Sequence, residues 1–288
     1  MRRFRNARLL LTALLLLSTY LTTEAQQLYV GSYNIRYQNK ADSEKGNAWE
    51  KRCPVICSLI NFEHPDIFGT QEVLKRQLSD MAALLTDYDH IGVGRDDGRS
   101  SGEHEAIFYD RQKLKLLAKG NFWLSETPEK PGRGWDAACT RICTWGKFKC
   151  RKGGKKFFFF NLHMDHVGVV ARRESAKLVV SRIREIAKGA PVVLTGDFNV
   201  DQHDEIYNIF AESGILKDSY EHARQRFAEC GTFNGFHPER HSDSRIDHIF
   251  VSPEFNVLRY GILTSGYWTP EGLRLPSDHY PVLVTLSR

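Results

Sequence analysis

This 288-residue chain predicts an α/β fold built on mixed β-sheet, and three observations predict it. Val192, Val193 and Leu194 make an unbroken apolar run between Pro191 and Gly196, as in a short strand covered on both faces. Residues 171–187 carry Ala176, Val179, Ile183 and Ile186 on one stripe, the pattern of a helix laid on a core. That helix joins an aromatic strand, residues 157–162, to the Pro191 strand, and such a crossover implies parallel or mixed pairing. At the mouth of the second strand stand Asp197 and Asn199, on the carboxyl edge where open α/β sheets place their ligands.

With 41% hydrophobic and 26% charged residues the composition is that of an ordinary globular protein, and no linker, repeat or low-complexity stretch divides it. Residues 26–288 are therefore expected to form a single catalytic domain. Residues 1–25 stand apart. Arg2, Arg3, Arg5 and Arg8 precede the apolar run 9–17, and a small-residue cleavage site ends at Ala25, the layout of a secretory signal. The run is too short to span a bilayer comfortably. The protein is expected to be exported, periplasmic or secreted, as a monomer without stable membrane insertion after signal removal. The signal holds four Arg and one Glu, so the net charge of +5 falls to +2 without it. So weak a balance argues against nonspecific nucleic-acid binding, which needs many basic contacts. The basic cluster at 147–156 reads as a solvated hairpin tip. Cys53 and Cys57 sit one turn apart on a predicted helix, Cys139, Cys143 and Cys150 bunch together, and no C-x-x-C spacing appears, so mostly buried free thiols are expected, with at most one bridge.

Taken in order, residues 28–36 form a strand of aromatic and β-branched residues containing the polar Asn34, which needs partners if buried. Residues 38–47 read as loop, and a helix follows over 53–62 with Pro54 in its first turn. Residues 65–72 are a strand ending on Glu72, which opens an amphipathic helix over 73–85, where an acid is favourable. Beyond the turns at 92–102, residues 103–109 begin another strand, with Glu105 at its mouth. Residues 114–118 and 121–124 read as two further strands. The irregular loop 125–137 is of the kind that often faces substrate. Residues 141–145 lead into a hairpin whose second strand delivers His163. After the Pro191 strand, Asp201 is read as the cap of a helix running to Ser213 and stopped by Gly214. Residues 232–245 are irregular. The strand 245–251 carries Asp247 where an apolar residue is expected, and Ser277, Asp278 and His279 precede the last strand, 282–286.

Asn34, Glu72, Glu105, His163, Asp197, Asn199, Asp247, Asp278 and His279 thus all lie in strands or at their ends. Carboxylates and amide oxygens without cysteine suit a hard divalent cation such as Mg²⁺. Imidazoles with acids to orient them suit acid–base work or an oxyanion. Together these are the equipment of phosphate-ester hydrolysis. His163 with His166, and His237 with His241, have spacings found in zinc sites, but His163 already belongs to the rim and the second pair lies in a polar loop.

Asn34, Gln71-Glu72, Asn161-Leu-His163, Gly196-Asp-Phe-Asn199, Arg245-Ile-Asp247 and Ser277-Asp-His279 stand in the order found in the endonuclease/exonuclease/phosphatase superfamily, which the chain resembles over residues 28–287. That group includes pancreatic-type deoxyribonucleases, abasic-site endonucleases, neutral sphingomyelinases, inositol polyphosphate 5-phosphatases and deadenylases. The resemblance implies a four-layer sandwich of two stacked mixed or antiparallel sheets flanked by helices. It also implies a metal-dependent phosphoric ester hydrolase like the exported bacterial members. Mg²⁺, replaceable by Mn²⁺, would bind Glu72 with Asn34 beside it, and Asp278 would lie near a second metal position or hold a water. His279 would meet the scissile phosphate as base or oxyanion partner, oriented by Asp247. Asp197 would bind or deprotonate the attacking water, and Asn199 would hold a phosphate oxygen. His163, paired with Glu105, would face the leaving group. Whether Asp197 or His279 is the base stays open. Arg141 is either a phosphate clamp or half of a structural ion pair. The expected partner is a phosphate mono- or diester, whether small molecule, nucleic acid or lipid headgroup, since members share the rim and differ in loops. No apolar hairpin fit for membrane insertion is evident, which weighs against a sphingomyelinase. The rival outside the enzymes is an inactive phospholigand-binding module, and intact Glu72, Asp197 and His279 oppose it.

Overall fold

In the computed structural model, which describes residues 27–288, the chain opens with β1 (Gln27–Asn34), α1 (Lys40–Glu44), α2 (Trp49–Glu63), β2 (Ile67–Gln71) and α3 (Lys75–Leu84). Next come β3 (Tyr88–Ile91), β4 (Ile107–Asp110), β5 (Leu114–Trp123), β6 (Ile142–Cys150), β7 (Lys156–His163) and the long helix α4 (Val169–Ala187). The remainder holds β8 (Val192–Asp197), α5 (Glu205–Ala211), β9 (Lys217–Asp218), β10 (Gln225–Phe227) and β11 (Asp247–Val251). It closes with β12 (Asn256–Ile262), β13 (Tyr267–Thr269), β14 (Gly272–Arg274) and β15 (Val282–Ser287). The segment read as a secretory signal, 1–25, lies outside the described residues.

One sheet runs β10-β12-β15-β1-β2-β4-β3 and the other β5-β6-β7-β8-β11-β9, with β13 and β14 as a separate ribbon. Within the two sheets β1–β2, β7–β8 and β10–β12 are parallel, so both are mixed, and α4 is the crossover the sequence predicts. Phe157 and Phe159 point between the sheets, where they meet Val30, Ile67, Ile107 and Val284 of the first sheet. Phe158 and Phe160, on the alternate face, pack under Ala176, Val179 and Ile183 of α4 and Phe210 of α5. A strand apolar at every position is therefore covered on both sides. Trp49 and Ile56 of α2 and Met81 of α3 cover the outer face of the first sheet at Phe68 and Phe108. The result is the four-layer α/β sandwich.

Several boundaries differ from the expectation. The strands read at 114–118 and 121–124 are one strand, β5, whose register shifts between Leu116 and Ala118; that bulge interrupts the alternation. Helix α2 starts at Trp49, so Pro54 sits past the first turn and forfeits one intrahelical bond. Asp204, not Asp201, caps α5 by accepting the Ile206 N–H, and the helix ends at Ala211. Asp201 instead accepts from the His203 N–H and the Ser244 hydroxyl. Short elements that were not foreseen are α1, inside the predicted 38–47 loop, and the strands β3, β9, β10, β12, β13 and β14. Gly196 does not end its strand, which continues through Asp197; a Cβ there would lie 2.3 Å from the Leu162 carbonyl oxygen, so close packing is what requires glycine. Cys53, Cys57, Cys139, Cys143 and Cys230 are free thiols, and Cys53, Cys57, Cys143 and Cys150 are buried.

A polar seam crosses the core beneath the rim. Gln71 Nε2 donates to Asn161 Oδ1 (2.7 Å), which also accepts from the Thr195 hydroxyl (3.0 Å), while Asn161 Nδ2 donates to the Thr70 and Ala106 carbonyls (2.9 and 3.2 Å). Gly69 leaves room for it, since a Cβ there would fall 2.2 Å from Asn161 Oδ1 and 2.4 Å from Thr195 Oγ1. Gly69→Ala is expected to destabilise the protein by about 1–3 kcal/mol through overpacking. Urea unfolding checks this, and an unshifted midpoint would show that the seam yields freely.

Candidate active site

The carboxyl ends of β1, β2, β7 and β8 and the amino end of β11 open into one basin of about 1030 Å³. Sheet register builds its floor: parallel pairing sets His163 beside Asp197, and antiparallel pairing sets Asp247 on the other side of Asp197. Asn34 ends β1 opposite Gln71, the last residue of β2. Glu72 follows in left-handed backbone (φ 63°), so it does not open helix α3, which begins at Lys75. His279 arrives from the segment before β15 and stands edge-on to Phe233, with ring centroids 5.1 Å apart.

Asp197 is the hub. Its Oδ2 accepts from Asn34 Nδ2 (3.0 Å) and lies 3.4 Å from His163 Nε2 and 3.7 Å from His279 Nε2. Burial, then repulsion from Asp247, pushes its carboxyl up to about 7, against the pull of His279 and the Asn34 bond. His279 Nδ1 bonds Asp247 Oδ2 at 2.8 Å. Burial opposes charge on that ring, but Asp247 and Asp197 hold it well above the usual imidazole range, so it is an imidazolium. His163 is the opposite case: burial, then Arg141 and Arg95, push it well below that range, so it is neutral. Glu105 Oε1 is 3.9 Å from His163 Nδ1, too far for a hydrogen bond, and neither of its buried carboxyl oxygens has a protein partner. Burial pushes Glu105 up to about 8, with Arg95 opposing and Glu103 adding to the shift.

Glu72 and Asp278 face a common point. Arg36 Nη1 lies there, 3.9 Å from Glu72 Oε2 and 3.5 Å from Asp278 Oδ2. Two carboxylates already gathering a positive charge, with oxygen donors only, fit a hard divalent cation. Three other groupings among the described residues could also hold a metal ion: Asp197 with Asp247 and His279, Glu103 with Glu105 and His163, and Cys139 with Asp165 and His166. In the first of these the Asp247–His279 hydrogen bond occupies two of the three donors, whereas Glu72 and Asp278 already share a cation, Arg36.

Asn34 turns its amide nitrogen toward Glu72 Oε1 (3.0 Å) as well as Asp197, while its oxygen accepts the Arg36 N–H, so it bridges the two acids as a donor. Asn199, in left-handed backbone (φ 50°), lines the basin and gives one amide hydrogen to the Met164 carbonyl. Arg141 is buried in an ion pair with Asp165 (3.3 Å) and contacts His166, and it also lines the basin. Every residue named for the site in the sequence reading therefore lines the basin or touches a residue that does.

Sequence reasoning passed over Arg36, which neutralises the acid pair, and Arg52, a fully buried cation that donates to the carbonyls of Asn47, Ile35, Pro276 and Arg36. It also passed over Arg95, whose charge acts on Glu105 and His163. An arginine just past a strand, or inside an amphipathic helix, carries no signal of such a role.

A four-layer sandwich with buried acids and imidazoles gathered at one sheet edge defines a metal-dependent phosphoester hydrolase. The match to the Endonuclease/Exonuclease/phosphatase family model spans residues 31–279, and the chain belongs to that family. It is similar to the mannosyl-6-phosphatase of Bacteroides thetaiotaomicron, with 53% identity over 91% of this chain and 100% of that one and a TM-score of 0.89. An endonuclease/exonuclease/phosphatase protein of Bacteroides vulgatus shares 39% identity over 91% of this chain and 99% of its own, with a TM-score of 0.83. An uncharacterized protein of Acanthamoeba polyphaga mimivirus is 28% identical over 82% of this chain and 91% of its own length.

Proposed function

We propose that this protein is an exported, Mg²⁺-dependent phosphomonoesterase that releases phosphate from a sugar phosphate. The observation that carries the chemistry is the position of Asp197, in reach of two imidazoles of opposite charge state. The sugar phosphate is supported by 53% identity with a mannosyl-6-phosphatase across nearly the whole domain. Export is supported by the arginine-then-apolar pattern of residues 1–25.

In this reading Glu72 and Asp278 would hold the cation, with Asn34 beside them. A bound divalent cation supplies charge neutralisation at the phosphate oxygens. Asp197, poised near neutrality, takes the proton of the attacking water. That assignment follows because His279 already carries its proton and serves as oxyanion partner, with Asp247 fixing the ring. Neutral His163 donates a hydrogen bond to the leaving oxygen and keeps its proton; the alkoxide takes a proton from solvent, Asp197 returns the one it took from water to solvent, and Asn199 and Arg141 steady the phosphate. The released pair is an alcohol and inorganic phosphate.

The test is turnover of 4-nitrophenyl phosphate, bis(4-nitrophenyl) phosphate and mannose 6-phosphate with Mg²⁺ or Mn²⁺, beside plasmid DNA and sphingomyelin. Monoesters are expected to be hydrolysed fastest, and chelation to silence the enzyme. Preference for the bis-ester, DNA or sphingomyelin would make it a phosphodiesterase; inertness toward all would favour the binding module. Glu72→Gln is expected to raise the Mg²⁺ concentration for half-maximal activity by about 10–100-fold. An unchanged Mg²⁺ requirement removes Glu72 from the cation site.

A further inference from the structure

We infer that the end of the basin between Phe236 and Arg274 is a leaving-group subsite that seats the pyranose ring of a hexose phosphate. The inference rests on the phosphomonoesterase reading above and adds which residues choose the alcohol half of the ester.

Phe236 is held in place by the segment that carries Asp278 and His279. Tyr280 donates its N–H to the Thr232 carbonyl (2.7 Å), and the N–H groups of Asn234 and Gly235 both reach the Asp278 carbonyl (2.8 and 3.0 Å). Phe233 and His279 form a β-bridge between these contacts. The segment is therefore zipped onto Asp278 and His279, and its next residues stand at a fixed place on the basin wall. Phe236 is one of them, and its backbone is left-handed (φ 65°), a conformation that a bulky aromatic residue adopts only under constraint. Its N–H is tied to Asn234 Oδ1 at 2.8 Å. One side of the ring meets the guanidinium of Arg52, whose Cζ is 5.5 Å from the ring centroid and which is itself immobilised by four hydrogen bonds. The ring is a rigid apolar plate at the edge of the catalytic floor.

A second wall of the same basin is polar. Arg274 Nη1 donates to the Lys45 carbonyl (3.1 Å) and to Asn47 Oδ1 (3.2 Å). Its guanidinium lies flat on Gly46, where a Cβ would approach it to 2.8 Å. Arg274 interacts electrostatically with the Glu271 carboxylate without forming a close ion pair, and both Arg274 and Asn47 line the basin. An aromatic plate on one wall and a guanidinium pre-oriented by its Nη1 hydrogen bonds on another match the two aspects of a pyranose. Its C–H face packs on a ring, and its hydroxyls accept from fixed donors. The exocyclic phosphate then extends toward Asp197 and His279.

The experiment compares kcat/KM for mannose 6-phosphate with that for 4-nitrophenyl phosphate, whose leaving group has no hydroxyls. Phe236→Ala and Arg274→Gln are each expected to cost mannose 6-phosphate at least about 10-fold more than the nitrophenyl ester, chiefly through KM. Parallel losses on both substrates, or no loss on either, overturn the subsite. Calorimetric binding of mannose 6-phosphate and of inorganic phosphate to Asp197→Asn protein needs no turnover. Adding Phe236→Ala to that protein is expected to weaken the sugar phosphate selectively, and equal affinity with and without the ring overturns the inference. Failure of the unmodified protein to hydrolyse either monoester is a different result, which counts against the phosphomonoesterase reading and leaves the binding arm decisive. Phe236→Gly, which removes the ring and relieves the backbone, is expected to melt no lower than the parent, separating lost recognition from lost folding.

Discussion

Asp197→Asn is expected to lower kcat on a phosphomonoester by about 10²–10⁴-fold, the range for removing a positioned general base. The amide keeps the side-chain volume and can still accept the Asn199 N–H that Asp197 Oδ1 accepts at 3.0 Å, so loss of folding is not the expected cause. The same substitution should stabilise the protein at alkaline pH. Asp197 has its folded value raised from 3.8 to about 7. A carboxyl raised in this way contributes stability that is present below its unfolded value and lost as pH rises through the folded value. The Asn variant escapes that loss, so its melting temperature should gain on the parent between about pH 4 and 7 and hold the gain above, in metal-free buffer. Turnover within about tenfold of the parent would remove Asp197 as the base. A gap in melting temperature that ignores pH would show that the buried carboxyl is not held protonated.

His279→Ala is expected to cost about 10²–10³-fold in kcat, because it removes a preorganised cation from the developing charge on phosphate. Its metal requirement should stay that of the parent, since Glu72 and Asp278 are untouched. Asp247→Asn, which keeps the ring but weakens its hold on the proton, should fall between parent and His279→Ala. Measuring kcat against Mg²⁺ concentration for each variant checks this division. If His279→Ala and Glu72→Gln shift the Mg²⁺ requirement alike, the two groups do not act separately as described.

The mixed sheet was legible because its signals are local and repeated, whereas the four-layer sandwich was expected from the family resemblance. The unbroken apolar run at Val192–Leu194 and the stripe on α4 left little freedom in the second sheet. The acids and imidazoles were legible for a different reason: a carboxylate such as Asp247 inside a strand contradicts the cost of burying charge unless it serves a site. Less could be read where tertiary contacts decide. β5 continues past its bulge because β6 pairs with it along the whole length, a nonlocal fact. The sequence points to Asp201 as the cap of α5, but the Ser244 hydroxyl engages Asp201 and Asp204 takes the position. The weight of Arg36, Arg52 and Arg95 is invisible in one dimension, because each acts on residues distant in sequence or on backbone carbonyls that carry no side-chain signature.

The seam joining Gln71 to Asn161 lies under a centre whose parts come from both sheets: Glu72 belongs to one, Asp197 and His163 to the other. In the proposed mechanism neither half alone holds both the cation seat and the water-activating acid. Hydrolysis thus reports on the docking of two layers, and a slip of one over the other would extinguish turnover while most backbone hydrogen bonds survived.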